Sequence, residues 1–400
     1  MQWAITFNAT KTIQQTFTHN HKHQPPSLTF GGEPIPIKDS HTHLGITFST
    51  DLHFHHHINK VCDKINKTLS PLYPLAKYIP KSVLDQVYKT YIRPHFDYAD
   101  IIYDGHITAQ DATRLETLQN RAARLVTGGL FRTSTNKLMA ELGWERLHTR
   151  RKIHRLSFYH QLNTTQHQPQ YIRVAMPNTR SQDTNRHLRN ANKHTTVANR
   201  TTAFNKSFFP TTTKQWNELP HATRQLTHKQ FKKQLRQQLG EPDPSPYCSF
   251  GSKQGNIFHA RLRMEMTQLN AHQHICQKVP SPECSCGHKN ENIKHFTLNC
   301  PIYNNQRIKL FDRLSETLQI HFRRLTPTNQ LNILLHGMNL SSASGREVAL
   351  HFQNFLFETK RFGSLRAAPS PGMRLWVHIP LDILFNCTVA AVTVITFTVF

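Results

Sequence analysis

The stretch Ala109–Gly129, AQDATRLETLQNRAARLVTGG, decides how this chain is read. Leu115, Leu118, Ala122, Leu125 and Val126 recur at three- and four-residue steps, the spacing that lines one face of an α-helix. Arg114, Arg121 and Arg124 fall on the other side, and Gly128-Gly129 supplies the stop. A helix over 109–127 with an apolar inner face and a basic outer face follows.

The same period extends in both directions. Ile58, Val61, Ile65, Leu69 and Leu72 mark an earlier helix that Pro71 and Pro74 break. A second begins after Pro80, with Ser82 as N-cap and Asp85 three residues on, and Val83, Val87, Tyr88 and Tyr91 inward. Another covers 146–162, where Leu147, Ile153, Leu156 and Tyr159 alternate with Arg146, Arg150, Arg151, Lys152 and Arg155. Residues 51–165 thus read as a helical bundle with a basic exterior. Before it, 1–50 reads as short strands. Trp3, Ile5 and Phe7 alternate, Leu28/Phe30 and Ile35/Ile37 flank a Gly31-Gly32 hairpin turn, and His43–Phe48 forms a third strand.

The pattern fades over 166–203, a linker rich in Asn, Thr, Gln, Arg and His. It returns over 204–240 with Phe208-Phe209-Pro210, Trp216–Pro220 and a basic helix, 227–239. Residues 241–252, containing EPDPSP, form a second linker. A cysteine-rich module occupies 253–325, further helix 326–366, and an apolar tail 375–400. The fold class is therefore mainly α, in several modules, with a small N-terminal β element.

Inside the cysteine-rich module, SPECSCGHKNENIKHFTLNCPIYNNQR (281–307) contains C-x-C-x8-H-x4-C. Cys284, Cys286, His295 and Cys300 are a three-thiolate, one-imidazole set of the kind that holds structural zinc. Gly287 gives the turn that two cysteines one residue apart require. With four protein donors there is no open position for water, so such a Zn2+ site is structural. Adjacent histidines at 53, 55, 56 and 57 lack a supporting carboxylate or thiol spacing and read as a histidine-rich helix start.

Composition narrows the partner. Lys and Arg number 49 against 24 Asp and Glu, a net charge of +25. That balance favours RNA or DNA, or an anionic membrane surface. The apolar fraction is 37%, too low for one core along all 400 residues. Seven cysteines, an odd number, and a start (MQWAITFNAT) without a basic leader or apolar run predict an intracellular, reducing setting, nucleus or cytoplasm. Residues 383–400 carry no charge and reach the lower limit for spanning a bilayer, so membrane contact through this tail is an alternative. There is no G-x-S-x-G and no phosphate-binding G-x4-G-K-[ST]. Tyr98-Ala99-Asp100-Ile101 has one carboxylate where two-metal nucleotidyl transfer needs two, and it reads as structural.

Several blocks, in order, resemble the region downstream of the polymerase palm in non-LTR retrotransposon reverse transcriptases of the jockey or LINE type. They are HTHLGITF (41–48), His57–Lys60, Tyr88–Thr90 with Ile92–Pro94, Leu118–Arg124, Gly143-Trp144, Arg150-Arg151, Ser207–Pro210, Trp216–Pro220, and His259–Arg263 followed by the cysteine motif. The resemblance implies that Phe7-Asn8 and Lys11-Thr12 match a palm motif, Lys11 being a lysine that assists proton transfer there. It implies that Leu44-Gly45 matches the primer grip and 54–162 the thumb that holds a template–primer duplex. The fingers, the first catalytic aspartate and the Asp-Asp hairpin would lie before Met1, so no catalytic residue is assigned and no polymerase activity is expected of the chain alone. Arg114, Arg121, Arg124, Arg150, Arg151 and Arg155 would meet phosphates, and Phe296 or Tyr303 would stack a base. The alternatives are a degenerate or tail-anchored product, or a polymerase subunit completed by another chain.

Overall fold

The computed structural model describes residues 11–18, 24–165, 168–184, 191–196, 201–241, 244 and 246–363. The Trp3–Phe7 strand, Phe7-Asn8 and the 375–400 tail lie outside them.

The molecule is mainly helical, with two small hairpins at its start. Strands β1 (Thr29–Phe30) and β2 (Glu33–Pro34) pair antiparallel across Gly31-Gly32. Strands β3 (Ser40–His43) and β4 (Ile46–Ser49) pair antiparallel, Ser40 opposite Ser49. The single strand expected over 43–48 is corrected here: Leu44 and Gly45 take positive φ, 48° and 81°, and fold the segment into a hairpin tip. Ile46 is buried, and the Phe48 ring meets Phe54 edge-on at 5.8 Å. Lys60 Nζ donates to Thr42 Oγ1 and Thr47 Oγ1, both at 2.9 Å, so the hairpin is tied to the first helix.

The first core is the expected helical bundle. It comprises α1 (His55–Leu69), α2 (Lys81–Val87), α3 (Arg93–Asp97), α4 (Asp100–Tyr103), α5 (Ala109–Thr127), α6 (Thr135–Leu142) and α7 (Leu147–Thr164). Ile58, Val61, Ile65 and Leu69 of α1 face Leu115, Leu118, Ala122 and Val126 of α5, as the periodicity predicted, while Leu125 is half-buried. The side-chain hydroxyl of Thr108 accepts from the Asp111 amide at 3.1 Å and starts α5. Gly128 ends it with φ +67°, and a Cβ there would lie 2.7 Å from Ile257, so both the turn and the close approach require glycine.

The face assigned to α2 is corrected. The helix starts at Lys81 behind Pro80, which puts Ser82 inside it and not at the cap. Leu84, Tyr88 and Ile92 point inward, whereas Val83 and Tyr91 are exposed. A π-helical turn over Tyr88–Ile92 widens the spiral and keeps residues four apart on one side. Tyr88 stacks on Trp144 with ring centroids 3.6 Å apart, and Trp144 Nε1 donates to Asp85 Oδ1 at 2.8 Å.

A second core joins the far half of α7 to α8 (Phe208–Glu218) and α9 (His228–Leu239). Tyr159, Trp216 and Phe231 form its aromatic centre, with centroid distances of 5.3 and 5.6 Å. The third core contains α10 (Lys253–Arg263), α11 (Asn304–Leu318), α12 (Pro327–His336) and α13 (Ser342–Glu358).

Helix α10 belongs to two cores at once. Ala260 and Met264, at its end, pack in the first, Phe258 and Leu262 in the third. Arg261 Nε donates to Gly128 O at 2.9 Å. Glu141 of α6 holds Lys81 at 2.8 Å and Arg263 through two contacts at 2.6 and 2.8 Å, a buried ionic clamp across the same junction. Among the described residues no helix is long and apolar enough to cross a membrane; residues 383–400 are not among them.

Candidate metal centre and nucleic-acid interface

The four motif residues converge. The ligand atoms of Cys284, Cys286, His295 and Cys300 all lie within 4.8 Å of one another. Local geometry brings this about. The Gly287 amide donates to Cys284 O and the Cys284 amide to His288 O, both at 2.9 Å, which closes a tight loop with Gly287 at φ +86°. A π turn over His295–Asn299 then delivers Cys300, whose amide donates to His295 O at 2.7 Å.

The spacing suits a tetrahedral zinc. Cys284 Sγ and Cys300 Sγ are 3.7 Å apart, and Cys286 Sγ is 3.3 Å from His295 Nε2. A tetrahedron with ~2.3 Å Zn–S and ~2.0 Å Zn–N bonds has edges of about 3.5–3.8 Å. Burial, above all, pushes the Cys284 thiol up to about 12. Soft donors facing one another in a sheltered pocket fit a divalent cation that would hold them as thiolates.

Residues absent from the motif fix its position. Glu291 is buried, accepts from the Asn270 amide at 2.7 Å, and pairs with the Arg361 guanidinium at 2.5 and 2.7 Å. Arg307 is buried and donates to Cys300 O, through Nη1 at 3.0 Å. Sequence reasoning missed all three. The available signal was an acid, Glu291, set between Lys289 and Lys294 inside the motif.

Phe296 is fully buried among Tyr303, Phe355 and Phe362, at 5.2, 5.7 and 5.2 Å. The expectation that it stacks a base is corrected: its ring is core, and Tyr303 is half-buried beside it. The histidines at 53–57 diverge. His55 pairs with Asp111 at 3.0 Å, and His57 is buried against Tyr103.

The six arginines separate into two groups. Arg114 Nη1 donates to Asn59 Oδ1 at 2.8 Å and to Asp111 Oδ1 at 3.0 Å; Arg121 Nη1 donates to Asn66 Oδ1 at 3.0 Å. Arg124 lies over the ring of the exposed Phe131, 5.9 Å from its centroid. These three are partly exposed along α5. Between α1 and α5 runs an open groove of about 520 Å³ whose lining includes Cys62, Asn66, Thr113, Arg114 and Thr117.

Arg150, Arg151 and Arg155 lie inward. Arg150 and Arg151 are 6% and 5% exposed. Arg150 meets Glu145 at 2.7 Å and Asp97 at 3.3 Å, Arg151 meets Asp104 at 2.6 Å, and Arg155 also pairs with Asp104. The basic exterior expected of α7 is therefore corrected for its middle turns. These arginines dock α7 onto α3 and the end of α4, because three acids, Asp97, Asp104 and Glu145, meet them there. Asp97, Asp100 and His154 also approach within 4.8 Å. Asp100 is held by His154 at 2.6 Å and Asp97 by Arg150 and Arg93 at 3.3 and 3.5 Å, so the YADI segment is part of this internal network.

A comparison with known proteins shows a partial similarity. The chain has a reverse-transcriptase-like relationship to a transposon protein. It is 26% identical over 134 residues to the probable RNA-directed DNA polymerase from transposon X-element of Drosophila melanogaster. The match covers 32% of this chain and 14% of that protein. No protein-family model and no solved structure matches the chain.

Proposed function

We propose that the chain is a nucleic-acid-binding, reverse-transcriptase-like protein of the non-LTR, jockey or LINE type. It corresponds to the thumb and C-terminal part of such an enzyme and has no polymerase activity of its own. Zn2+ at Cys284, Cys286, His295 and Cys300 is structural, and the partner is RNA or DNA. The observation that carries the reading is the groove between α1 and α5, edged by Arg114 and continued by Arg121 and Arg124. A guanidinium has five N–H donors in a fixed fork. The Asn and Asp contacts of Arg114 and Arg121 engage only Nη1 among the described residues, which holds each fork in place and leaves donors for phosphate oxygens. The order of the resembling blocks and the transposon polymerase similarity support the same reading.

The test is binding of the purified full chain to labelled RNA and DNA oligonucleotides across a salt series. Affinity should fall steeply and linearly on a log–log plot, because bound phosphates release counterions. A flat response, or no binding at low salt, refutes the reading. A primer-extension assay with Mg2+ or Mn2+ should show no incorporation; incorporation above background would overturn the assignment of no activity.

A further inference from the structure

Helix α9 presents a second basic surface, distinct from the α5 groove. Lys229, Lys233 and Arg236 are exposed on it, at steps of four and three residues, with Lys232 half-exposed beside them. Those steps place them in one stripe. From Lys229 to Arg236 the helix rises roughly 10 Å, enough to follow more than one phosphate of a strand. No acidic residue occurs between Glu218 and Glu241. Among the described residues no ion pair involves Lys229, Lys232, Lys233 or Arg236, whereas Arg150, Arg151 and Arg155 are all paired.

We propose that this α9 stripe is a docking site for the phosphodiester backbone of RNA or DNA. The inference deepens the function proposed above and rests on it. Three observations favour it over an idle solvated face. The helix is rigidly set: Thr227 and Gln230 form a reciprocal cap at its start, and Phe231 and Leu235 are fully buried against α7 and α8. Ordering therefore costs the stripe little on binding. Its cations are uncompensated locally, so counterions collect there and are released when phosphates replace them. Exposed Gln237 and Gln238 add neutral donors beside the lysines. A membrane surface is the poorer occupant, because an interfacial helix needs its apolar face for the lipid; here that face is already core.

The experiment compares two pairs of substitutions in the full chain, Lys229→Gln/Lys233→Gln on α9 and Lys309→Gln/Arg313→Gln on α11. The second pair removes equal charge from exposed positions near Asp312 and Glu316. Anisotropy with a 30-nucleotide RNA, its DNA equivalent and a DNA duplex is read from 50 to 300 mM salt. The α9 pair should lower the log–log slope by about 1.4 on single strands and about 1.8 on duplex, with the α11 pair near wild type. If both pairs lower the slope equally, or neither does, the stripe is overturned while wild-type binding keeps the broader reading. If wild type itself does not bind, the broader reading falls and this inference with it. Binding to phosphatidylserine vesicles that depends on Lys229 and Lys233, without a nucleic-acid slope change, would assign the stripe to membrane and overturn it.

Discussion

Glu141 tests whether the helical bundle and the C-terminal region are held as one unit. Its side chain is 4% exposed and sits between Lys81 and Arg263. Burial alone would raise its pKa, but the charge of Arg263, then that of Lys81, with their hydrogen bonds, pulls it from 4.5 to about 2. At ~1.4 kcal/mol per pH unit that difference is about 3 kcal/mol of stability. A depressed carboxyl contributes fully above its unfolded value. The contribution should therefore be complete above about pH 4.5 and disappear progressively as pH falls toward about 2. Glu141→Gln should cost about 3 kcal/mol at pH 7 in urea unfolding and flatten this acid limb. Glu141→Ala should cost ~3–5 kcal/mol, because Arg263 then stays buried without a counter-charge. The double variant Glu141→Leu/Arg263→Met should recover most of the loss, since apolar replacements relieve the desolvation of both ions. A Glu141→Ala cost below about 1 kcal/mol, with an unchanged acid limb, would refute the clamp.

Three further outcomes follow from the same geometry. Elemental analysis should find one zinc per chain, and Cys300→Ser or a strong chelator should remove it and destabilise the third core; full stability without metal would remove zinc from the account. Phe296→Ala should cost about 3–5 kcal/mol in unfolding and leave the salt slope of oligonucleotide binding unchanged; a reduced slope with intact stability would return Phe296 to the interface. Arg114→Ala should lower that slope by about 0.7–0.9 with little change in stability. Arg150→Ala should do the reverse, because it leaves Glu145 unpaired and Asp97 with Arg93 alone; equal slope losses from both would contradict the separation of the two arginine groups.

Helix α5 was legible in the sequence because its signals are all local. The apolar steps and the Gly128 stop lie within one short segment and the structure realises both, while the Thr108 cap, which was not read from the sequence, adds the start. The Cys/His quartet was legible for the same reason: donor chemistry and the turn at Gly287 are written within one short segment. What escaped depends on residues distant in the chain. The α7 arginines were assigned outward by the rule that charge faces water, yet Asp97 and Asp104, about 50 positions earlier, meet them inside. Phe296 looked available until Phe355 and Phe362 closed over it. Glu141 gave no hint of partners 60 positions before and 122 after it.

The charge excess therefore does not spread evenly over the surface. With 24 acids against 49 bases, the position of the acids decides which cations remain free. Asp97, Asp104 and Glu145 gather around α7, Glu141 sits at the α10 junction, and Glu291 backs the cysteine loop. The first three occupy arginines that the sequence would place at a nucleic-acid contact, Glu141 and Glu291 occupy Lys81, Arg263 and Arg361, and each basic group so paired becomes a strut. Helix α9 has no acid along its length, and Arg121 and Arg124 of α5 have no acidic partner among the described residues. Their positive charge stays available to phosphate. The acids thus specify the proposed interface as much as the arginines do, by deciding which parts of a +25 chain are already neutral.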